Sequence, residues 1–411
     1  MPLIFNHILS TKSVARTMVF KCRIGHRATL KLLLFSVVSV CLFVLSLNLN
    51  KERSIINLGP AFTMIQGNGK IHIDDLNGFE EVSDEQKIYL MDKLRNSIHA
   101  LIKFCSGTKP QPRSCGVPPS GKLLTLFTTW SYDEAKFSVN NKTLYNWKML
   151  PYVNLVVFAD VQDFKVKQLN KQAGWDILPI TNEAAGTPIL PKMFLDVMKK
   201  YKSKFYGFAN ADILFTKKLI DTLLQVVCDS EAGYIDNDKG LLIVGRRTNV
   251  PADKLTHESA LSWQKLEQFS NRYGELFQSD AEDYFITDSN YPWSSFLPVT
   301  VGRRGFDNWI VAYSRYINIT VIDASESIQC IHQTLKSRGN FESLSKGRYN
   351  IELIEQQNMP FDFGWGRTYC TRWKSWYDLC GRLMISERRS VPDSCTEYKF
   401  SYKLAAFFGL N

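Results

Sequence analysis

Between residues 121 and 335 the chain alternates short apolar runs with stretches of helical period. "KLLTLFTTW" (122–130), "VNLVVFAD" (153–160), "WDILPI" (175–180) and "GLLIVGRR" (240–247) have the length and β-branched content of strands. Helices are predicted over about 137–149 and 163–173, in "GTPILPKMFLDVMKKY" (186–201), and in "KKLIDTLLQVV" (217–227). Strands alternating with helices predict an α/β fold, a mainly parallel sheet with helices on both faces. Strand interiors this apolar fit a sheet covered on both sides. Upstream, Ser83 and Gln86 have the spacing of a capping box. Beyond them Ile88, Met91, Leu94, Ile98, Leu101 and Ile102 recur as one face of an amphipathic helix. No internal repeat is present. No GxGxxG follows the first strand and no GxxxxGK[ST] occurs, which argues against a dinucleotide-binding Rossmann domain and against a P-loop.

One stretch breaks the alternation. "FYGFANADILF" (205–215) reads as a fourth apolar strand with Asn210 and Asp212 set into it. Separated by Ala211, the two face the same side of a strand. In open α/β sheets ligands bind beyond the carboxyl ends of the strands. Two oxygen ligands there suit a hard divalent cation that also grips a diphosphate. The small Ala209 and Ala211 leave room for that diphosphate near the backbone. A pair of polar residues capping a turn is the competing reading. Further on, "VGRRGFDNWIV" (301–311) puts Asp307 at a predicted helix start behind Gly302 and Gly305. "ITVIDASESIQCIHQT" (319–334) carries His332 at the end of an apolar run.

Composition changes the picture mainly at the N-terminus. The 411 residues carry a net charge of +10, and six bases with no acid lie before residue 32: Lys12, Arg16, Lys21, Arg23, Arg27 and Lys31. The high pI is therefore largely a property of this tail, and no nucleic-acid footprint is read from it. The next 19 residues, "LLLFSVVSVCLFVLSLNLN" (32–50), are uncharged and nearly match the hydrocarbon core of a bilayer. With the bases upstream, the segment reads as a single-pass signal-anchor with its N-terminus cytoplasmic and the remainder lumenal. A cleaved signal peptide is the alternative, against which the basic region is long. The expected organisation is a cytoplasmic tail (1–31), an anchor (32–50), a stem with an amphipathic helix (51–120), an α/β domain (121–335) and a Cys/Trp-rich extension (336–411).

Seven cysteines follow the anchor, at 105, 115, 228, 330, 370, 380 and 395. A secretory lumen permits disulfides, and Cys105 and Cys115 flank a Pro-rich loop that a local bridge would close. The odd count leaves a thiol free or paired between chains. No CxxC occurs, so a zinc site is not expected. Asn141-Lys-Thr and Asn318-Ile-Thr are glycosylation sequons, in keeping with that topology.

Taken together, "LTLFTTW", "VVFAD", "GTPIL", "FANADILF", "LLIVGRR", "DYFI", "VGRRGFDNW" and "VIDASESIQCIHQ" resemble, in order and spacing, glycosyltransferases of the GT-A type. The resemblance covers roughly residues 122–335. It implies a type II membrane enzyme of the Golgi or endoplasmic reticulum that moves a sugar from a nucleotide-sugar donor to a glycan, protein or lipid hydroxyl. It also implies a divalent metal, Mn²⁺ by preference, held by Asn210, Asp212 and His332. Asn210 departs from the usual acid of an Asp-x-Asp motif and brings a carbonyl oxygen without charge. Negative charge developing on a nucleoside diphosphate needs a metal or a cationic clamp. Arg246, Arg303 and Arg304 are candidates for that clamp. Thr128 and Thr129 close the first strand and are placed to contact the nucleotide. Asp160 closes the second and is placed for base or ribose. An inverting enzyme needs a carboxylate base. Asp307 is the first candidate and Asp283, in "AEDYF", the second. Trp309 reads either as an acceptor platform or as a buried helix residue. Two competing functions are a catalytically silent GT-A-like binding or scaffold protein and a metal-dependent nucleotidyl- or phosphotransferase.

Overall fold

A computed structural model describes residues 99–105, 121–160, 162–335, 347–357 and 362–395. The chain forms two compact units, Met1–Lys109 and Pro110–Asn411. Of the first, residues 99–105 are described and are helical, at the end of the amphipathic pattern. The basic tail, the 32–50 segment, most of the stem, Cys115 and the final "YKFSYKLAAFFGLN" lie outside the described residues. Among the described residues no helix is long and apolar enough to cross a membrane.

The strands of the second unit are β1 (Lys122–Thr129), β2 (Val153–Ala159), β3 (Asp176–Pro179), β4 (Glu183–Ala184), β5 (Thr187–Pro188), β6 (Ser203–Ala209) and β7 (Ile213–Phe215). They continue as β8 (Leu241–Pro251), β9 (Glu275–Leu276), β10 (Glu282–Asp288), β11 (Thr320–Asp323), β12 (Cys330–Thr334), β13 (Trp373–Tyr377) and β14 (Leu383–Glu387). The main sheet runs β14-β13-β11-β8-β10-β6-β1-β2-β3, with β12 and β9 pairing with β8 and β7 pairing with β12. β3, β2, β1 and β6 are mutually parallel, and so are β8, β11 and β13. β10 joins these two blocks, antiparallel to both β6 and β8. Two antiparallel steps in succession restore direction, so β8 points the same way as β6. The carboxyl ends of β1, β2, β6 and β8 therefore share one edge.

Both sheet faces are covered, as expected. On one face the helices Phe137–Lys148, Phe164–Ala173 and Lys218–Glu231 pack Leu144, Trp147, Val166, Leu219 and Leu223 against Leu124, Leu126, Ile243, Tyr284 and Ile286. On the other, Leu190–Lys200 and Phe306–Tyr316 pack Phe194, Val197, Phe306, Trp309 and Ile310 against Phe127, Phe208, Val244 and Phe285. Alternate strand residues thus feed opposite cores, the period-2 consequence of a pleated strand. Trp309 is 3% exposed and stacks on Tyr313 at 5.0 Å, so it is a core residue rather than an exposed platform.

The fourth predicted strand is two strands. β6 ends at Ala209, residues 210–212 turn, and β7 leaves to pair with β12. Buried hydrogen bonds from the Phe137–Lys148 helix hold β7 in that position. The Trp147 indole N–H donates to the Ile213 carbonyl at 2.9 Å, and the Phe215 N–H donates to Asn146 Oδ1 at 2.9 Å. The single run predicted over 319–334 is likewise two strands, β11 and β12, with His332 in the middle of the second.

The C-terminal extension adds β13 and β14 to the main sheet beside β11. Cys370 and Cys395 form a disulfide there, and Cys105, Cys228 and Cys380 are also disulfide-bonded. Cys330 is a free, buried thiol.

Candidate functional site

The predicted residues gather at the shared carboxyl edge, though not all in the expected roles. Thr129 is locked into the β1–β2 ladder, its hydroxyl donating to the Phe158 carbonyl at 2.9 Å. The Thr128 hydroxyl is buried and has no hydrogen-bond partner. Asp160 is exposed just past β2, where its carboxylate accepts the Gln162 N–H at 2.8 Å.

Because residues 210–212 turn, Asn210 and Asp212 do not share a strand face as the alternation implied. The Asn210 N–H donates to the Asp283 carbonyl at 3.0 Å, and its side-chain nitrogen donates to Asp283 Oδ1 at 2.7 Å. Asn210 thus braces the start of β10. Asp212 turns to β12. Its Oδ2 lies 3.3 Å from His332 Nε2, while its Oδ1 is buried without a partner. Its backbone carbonyl accepts from both the N–H and the side-chain amide of Gln333, at 3.1 and 3.3 Å. Burial pushes the Asp212 carboxyl up, but hydrogen bonding and charge from His332, with Arg247 behind, hold it below the ordinary aspartate value.

Arg246 and Arg247 point to opposite faces of β8. Arg246, the predicted clamp, donates through Nε and Nη2 to the Phe277 carbonyl and supports a loop. Arg247 faces the cleft, donates from Nη1 to Asp283 Oδ2 at 2.7 Å, and rests over the Phe277 ring at 4.4 Å. Arg303 is buried and donates to the Ala185 carbonyl at 2.8 Å and to its neighbour Gly302, tying the turn before Asp307 to the β4–β5 hairpin. Arg304 is exposed. Arg247 is thus placed among the acids of this edge, and the sequence reading passed over it.

A β-bulge divides the acidic pair 282–283. β10 pairs Glu282 with Arg246 and Phe285 with Val244, and the register slips between them. Bulges re-aim side chains in this way. Asp283 consequently joins Arg247 on one face, while Glu282 falls on the face of the Phe306–Tyr316 helix. Glu282 is 2% exposed, and neither carboxyl oxygen has a hydrogen-bond partner. Burial pushes its carboxyl well above the ordinary glutamate range, and the charge of Asp307 pushes it further.

Asp307 stands in the first turn of the Phe306–Tyr316 helix, behind Gly305 at a φ of 88°. A Cβ at Gly305 would need that left-handed conformation and would lie 2.7 Å from the Phe363 ring. Gly366 packs so closely on Asn308 that a Cβ there would lie 2.0 Å from its carbonyl oxygen. The extension is thereby seated directly on the turn that presents Asp307. Burial raises the Asp307 carboxyl to about 7; the Asn308 N–H works against the shift, and Asp283 and Asp280 add to it. A carboxyl that titrates near neutrality is suited to take a proton.

Among the described residues no group of three or more His, Cys, Asp or Glu is arranged to hold a metal. Mg²⁺-like ions in transferases are commonly held by one or two carboxylates plus substrate phosphates, without an all-protein cage. The unpartnered Asp212 Oδ1 beside His332 Nε2 fits such a two-ligand arrangement. Asn249, in ladder register with His332, presents a second buried, unpartnered oxygen. Asn210 gives its side-chain nitrogen to Asp283, so its carbonyl oxygen is the atom left to face a cation.

Fold and site together define an α/β protein with a mainly parallel core. An Asp–His pair and a second group of buried carboxyls lie at its carboxyl edge. No protein-family model matches the chain, and no curated protein matches it. Among solved structures it is similar to a mannosyltransferase from Pyrobaculum calidifontis in complex with GDP-Man and Mn²⁺, at 9% identity and a TM-score of 0.38 over 64% of this chain and 73% of that one. It is also similar to glucosyl-3-phosphoglycerate synthase from Mycobacterium tuberculosis in complex with Mn²⁺, UDP-glucose and phosphoglyceric acid, at 11% identity and a TM-score of 0.35 over 59% and 82%. A cytidylyltransferase from Leptospira borgpetersenii shows 14% identity and a TM-score of 0.32 over 59% and 99%. At such identities and scores these likenesses assign no activity to this chain.

Proposed function

We propose that the protein is a glycosyltransferase that takes a nucleoside-diphosphate sugar at the carboxyl edge of β1, β2, β6 and β8. One observation carries the reading: two chemically distinct groups lie on opposite faces of β10 at one edge. One is Asp212 with His332 near Arg247, suited to a diphosphate and its cation. The other is Asp307 with Glu282, suited to a hydroxyl proton. A divalent cation bound there would neutralise charge on the departing diphosphate. Asp212 and His332 would hold it. Arg247 supplies fixed positive charge nearby and pairs with Asp283, whose carboxyl burial holds above the ordinary aspartate value against the pull of Arg247. Asp307 accepts the proton of the acceptor hydroxyl as the new glycosidic bond forms, which is inverting chemistry. The extension packs over Gly305 and Asn308 on either side of Asp307, which itself stays partly exposed.

In this reading the catalytic unit is lumenal, anchored by 32–50 in a Golgi or endoplasmic reticulum membrane, and residues 51–120 act as its stem. Nucleic acid is not a partner. The test is a thermal-shift screen of UDP- and GDP-sugars on the protein from residue 51 onward, with and without Mn²⁺, followed by product analysis. Stabilisation by a nucleotide sugar and release of the nucleoside diphosphate support the reading. Release of pyrophosphate instead would make it a nucleotidyltransferase. Binding without turnover would make it a silent relative.

A further inference from the structure

The two sequons, Asn141-Lys-Thr and Asn318-Ile-Thr, sit in opposite kinds of surroundings. Asn141 lies inside the Phe137–Lys148 helix, beside Asn140, Lys142 and Thr143, each 5% exposed or less. It is half-buried on the wall of a cleft that Lys142, Leu255 and His257 also line. Lys142 Nζ donates to the Ala252 carbonyl at 3.1 Å, so the helix is tied there to the segment after β8. The Thr143 hydroxyl donates to the Val139 carbonyl at 3.3 Å and accepts from Gln333 Nε2 at 3.1 Å. That same amide of Gln333 donates to the Asp212 carbonyl. Packing beside the candidate site thus accounts for Thr143, and a sugar on Asn141 would begin inside the cleft.

Asn318 is exposed and directly follows the Phe306–Tyr316 helix and its cap Ile317. Its N–H donates to the Arg315 carbonyl at 3.1 Å, and the Ile319 N–H donates to the Ser314 carbonyl at 2.8 Å. With Asn318 at a φ of 59°, this is a Schellman turn that has Asn where Gly is usual. The backbone alone closes the helix, and among the described residues the Asn318 side chain has no hydrogen-bond partner. Tyr316, 45% exposed, stands two residues before it, at most about 7.6 Å away along the chain. Its ring face suits the apolar face of a first sugar. Asn318 precedes β11, which is parallel to β8, so it lies at the sheet edge opposite the candidate site. A helix of 11 residues, about 16 Å long, separates it from Asp307.

Resting on the lumenal topology of the proposed function, we propose that Asn318, and not Asn141, carries an N-linked oligosaccharide, displayed from the edge of the sheet away from the candidate site. The transfer forms a bond from Asn318 Nδ2 to the anomeric carbon of a lipid-diphosphate-linked oligosaccharide. The bond from that carbon to the diphosphate oxygen breaks, the lipid diphosphate leaves with the electron pair, and the amide gives one proton to the transferring enzyme. The step belongs to the unfolded chain, because in the folded one the Thr320 hydroxyl donates to the Asp236 carbonyl. A glycan on Asn318 stays in solvent as β11 docks. One on Asn141 obstructs the contact between its helix and residues 252–255, so the folded protein carries none there.

The experiment expresses the full chain in secretory eukaryotic cells. An amidase then releases N-glycans in isotopically labelled water, which marks each formerly glycosylated Asn as labelled Asp for peptide mass spectrometry. Label is expected at Asn318 and not at Asn141. Asn318→Gly keeps the left-handed turn and should abolish the mobility shift that the amidase produces. Thr320→Ser keeps the sequon and should retain the shift, and Asn141→Gln should leave it unchanged. The wild-type label decides the question even if a variant folds poorly. Protease protection of residues 121–335 in intact microsomes reads the topology separately. A protected chain with Asn318 unlabelled, or with label at Asn141, overturns the proposal and leaves the topology standing. A chain digested in that region removes the topology, and the glycan falls with it.

Discussion

Replacing Asp307 by Asn separates a catalytic carboxylate from a helix cap, because the two roles move stability in opposite directions. The carboxyl sits at about 7 in the folded protein against an ordinary 3.8. Its ionised form is thus disfavoured by folding. The stability linked to this group is complete below about pH 4 and is lost as pH rises through 7. Three pH units at 1.36 kcal/mol each make ionisation cost about 4 kcal/mol at pH 8. The helix-terminal Asn308 N–H is already part of that net shift, so no separate dipole gain is set against it. Asn carries no charge and avoids this cost. The variant should therefore be about 4 kcal/mol more stable than wild type at pH 8 and no more stable at pH 4. In a domain of this size that is a Tm gain on the order of 5–10 °C. Turnover should fall on the order of 10²–10⁴-fold, the usual scale for a lost general base. The acidic limb of the wild-type kcat/KM profile, centred near 7, should vanish with it. Donor affinity should hardly change, because the lost interaction belongs to the transition state. Melting curves at the two pH values and a pH–rate profile decide the matter. Near-normal turnover in a variant that is less stable at both pH values would refute the reasoning and leave Asp307 a cap.

Three further substitutions test the other face of the site. Asp212→Ala should weaken Mn²⁺-dependent donor binding at least tenfold by calorimetry and nearly abolish turnover; an unchanged affinity would remove Asp212 from the site. Asn210→Asp brings an acid against Asp283 in place of a 2.7 Å hydrogen bond, so urea denaturation at pH 7 should show a loss of about 1–3 kcal/mol. A gain in metal affinity without that loss would mean Asn210 is a ligand after all. Arg247→Met leaves Asp283 buried and unpaired and should cost about 3–5 kcal/mol at neutral pH. The cost should shrink in acid as Asp283 takes up a proton, and a pH-independent loss would count against the ion pair.

Much of this protein was legible along the chain because local pattern determined it. The strands that open the sheet and the helices that cover it lie within a few residues of where apolar periodicity put them, since burying one face demands that period. Gly305 and Asp307 marked a helix start through backbone chemistry that acts over a few residues. The tertiary structure alone decided which strands pair and in which direction. "FYGFANADILF" is uniformly apolar around its polar step, and only β12, more than a hundred residues away, draws β7 out of line and parts Asn210 from Asp212. β10 enters antiparallel between two parallel blocks, a choice made by partners distant in sequence. Its bulge sends two adjacent acids to opposite faces, and strand parity gives the cleft to Arg247 and the Phe277 loop to Arg246. A composition-level reading cannot rank neighbours that differ by one residue, because a single step along a strand exchanges one face of the sheet for the other.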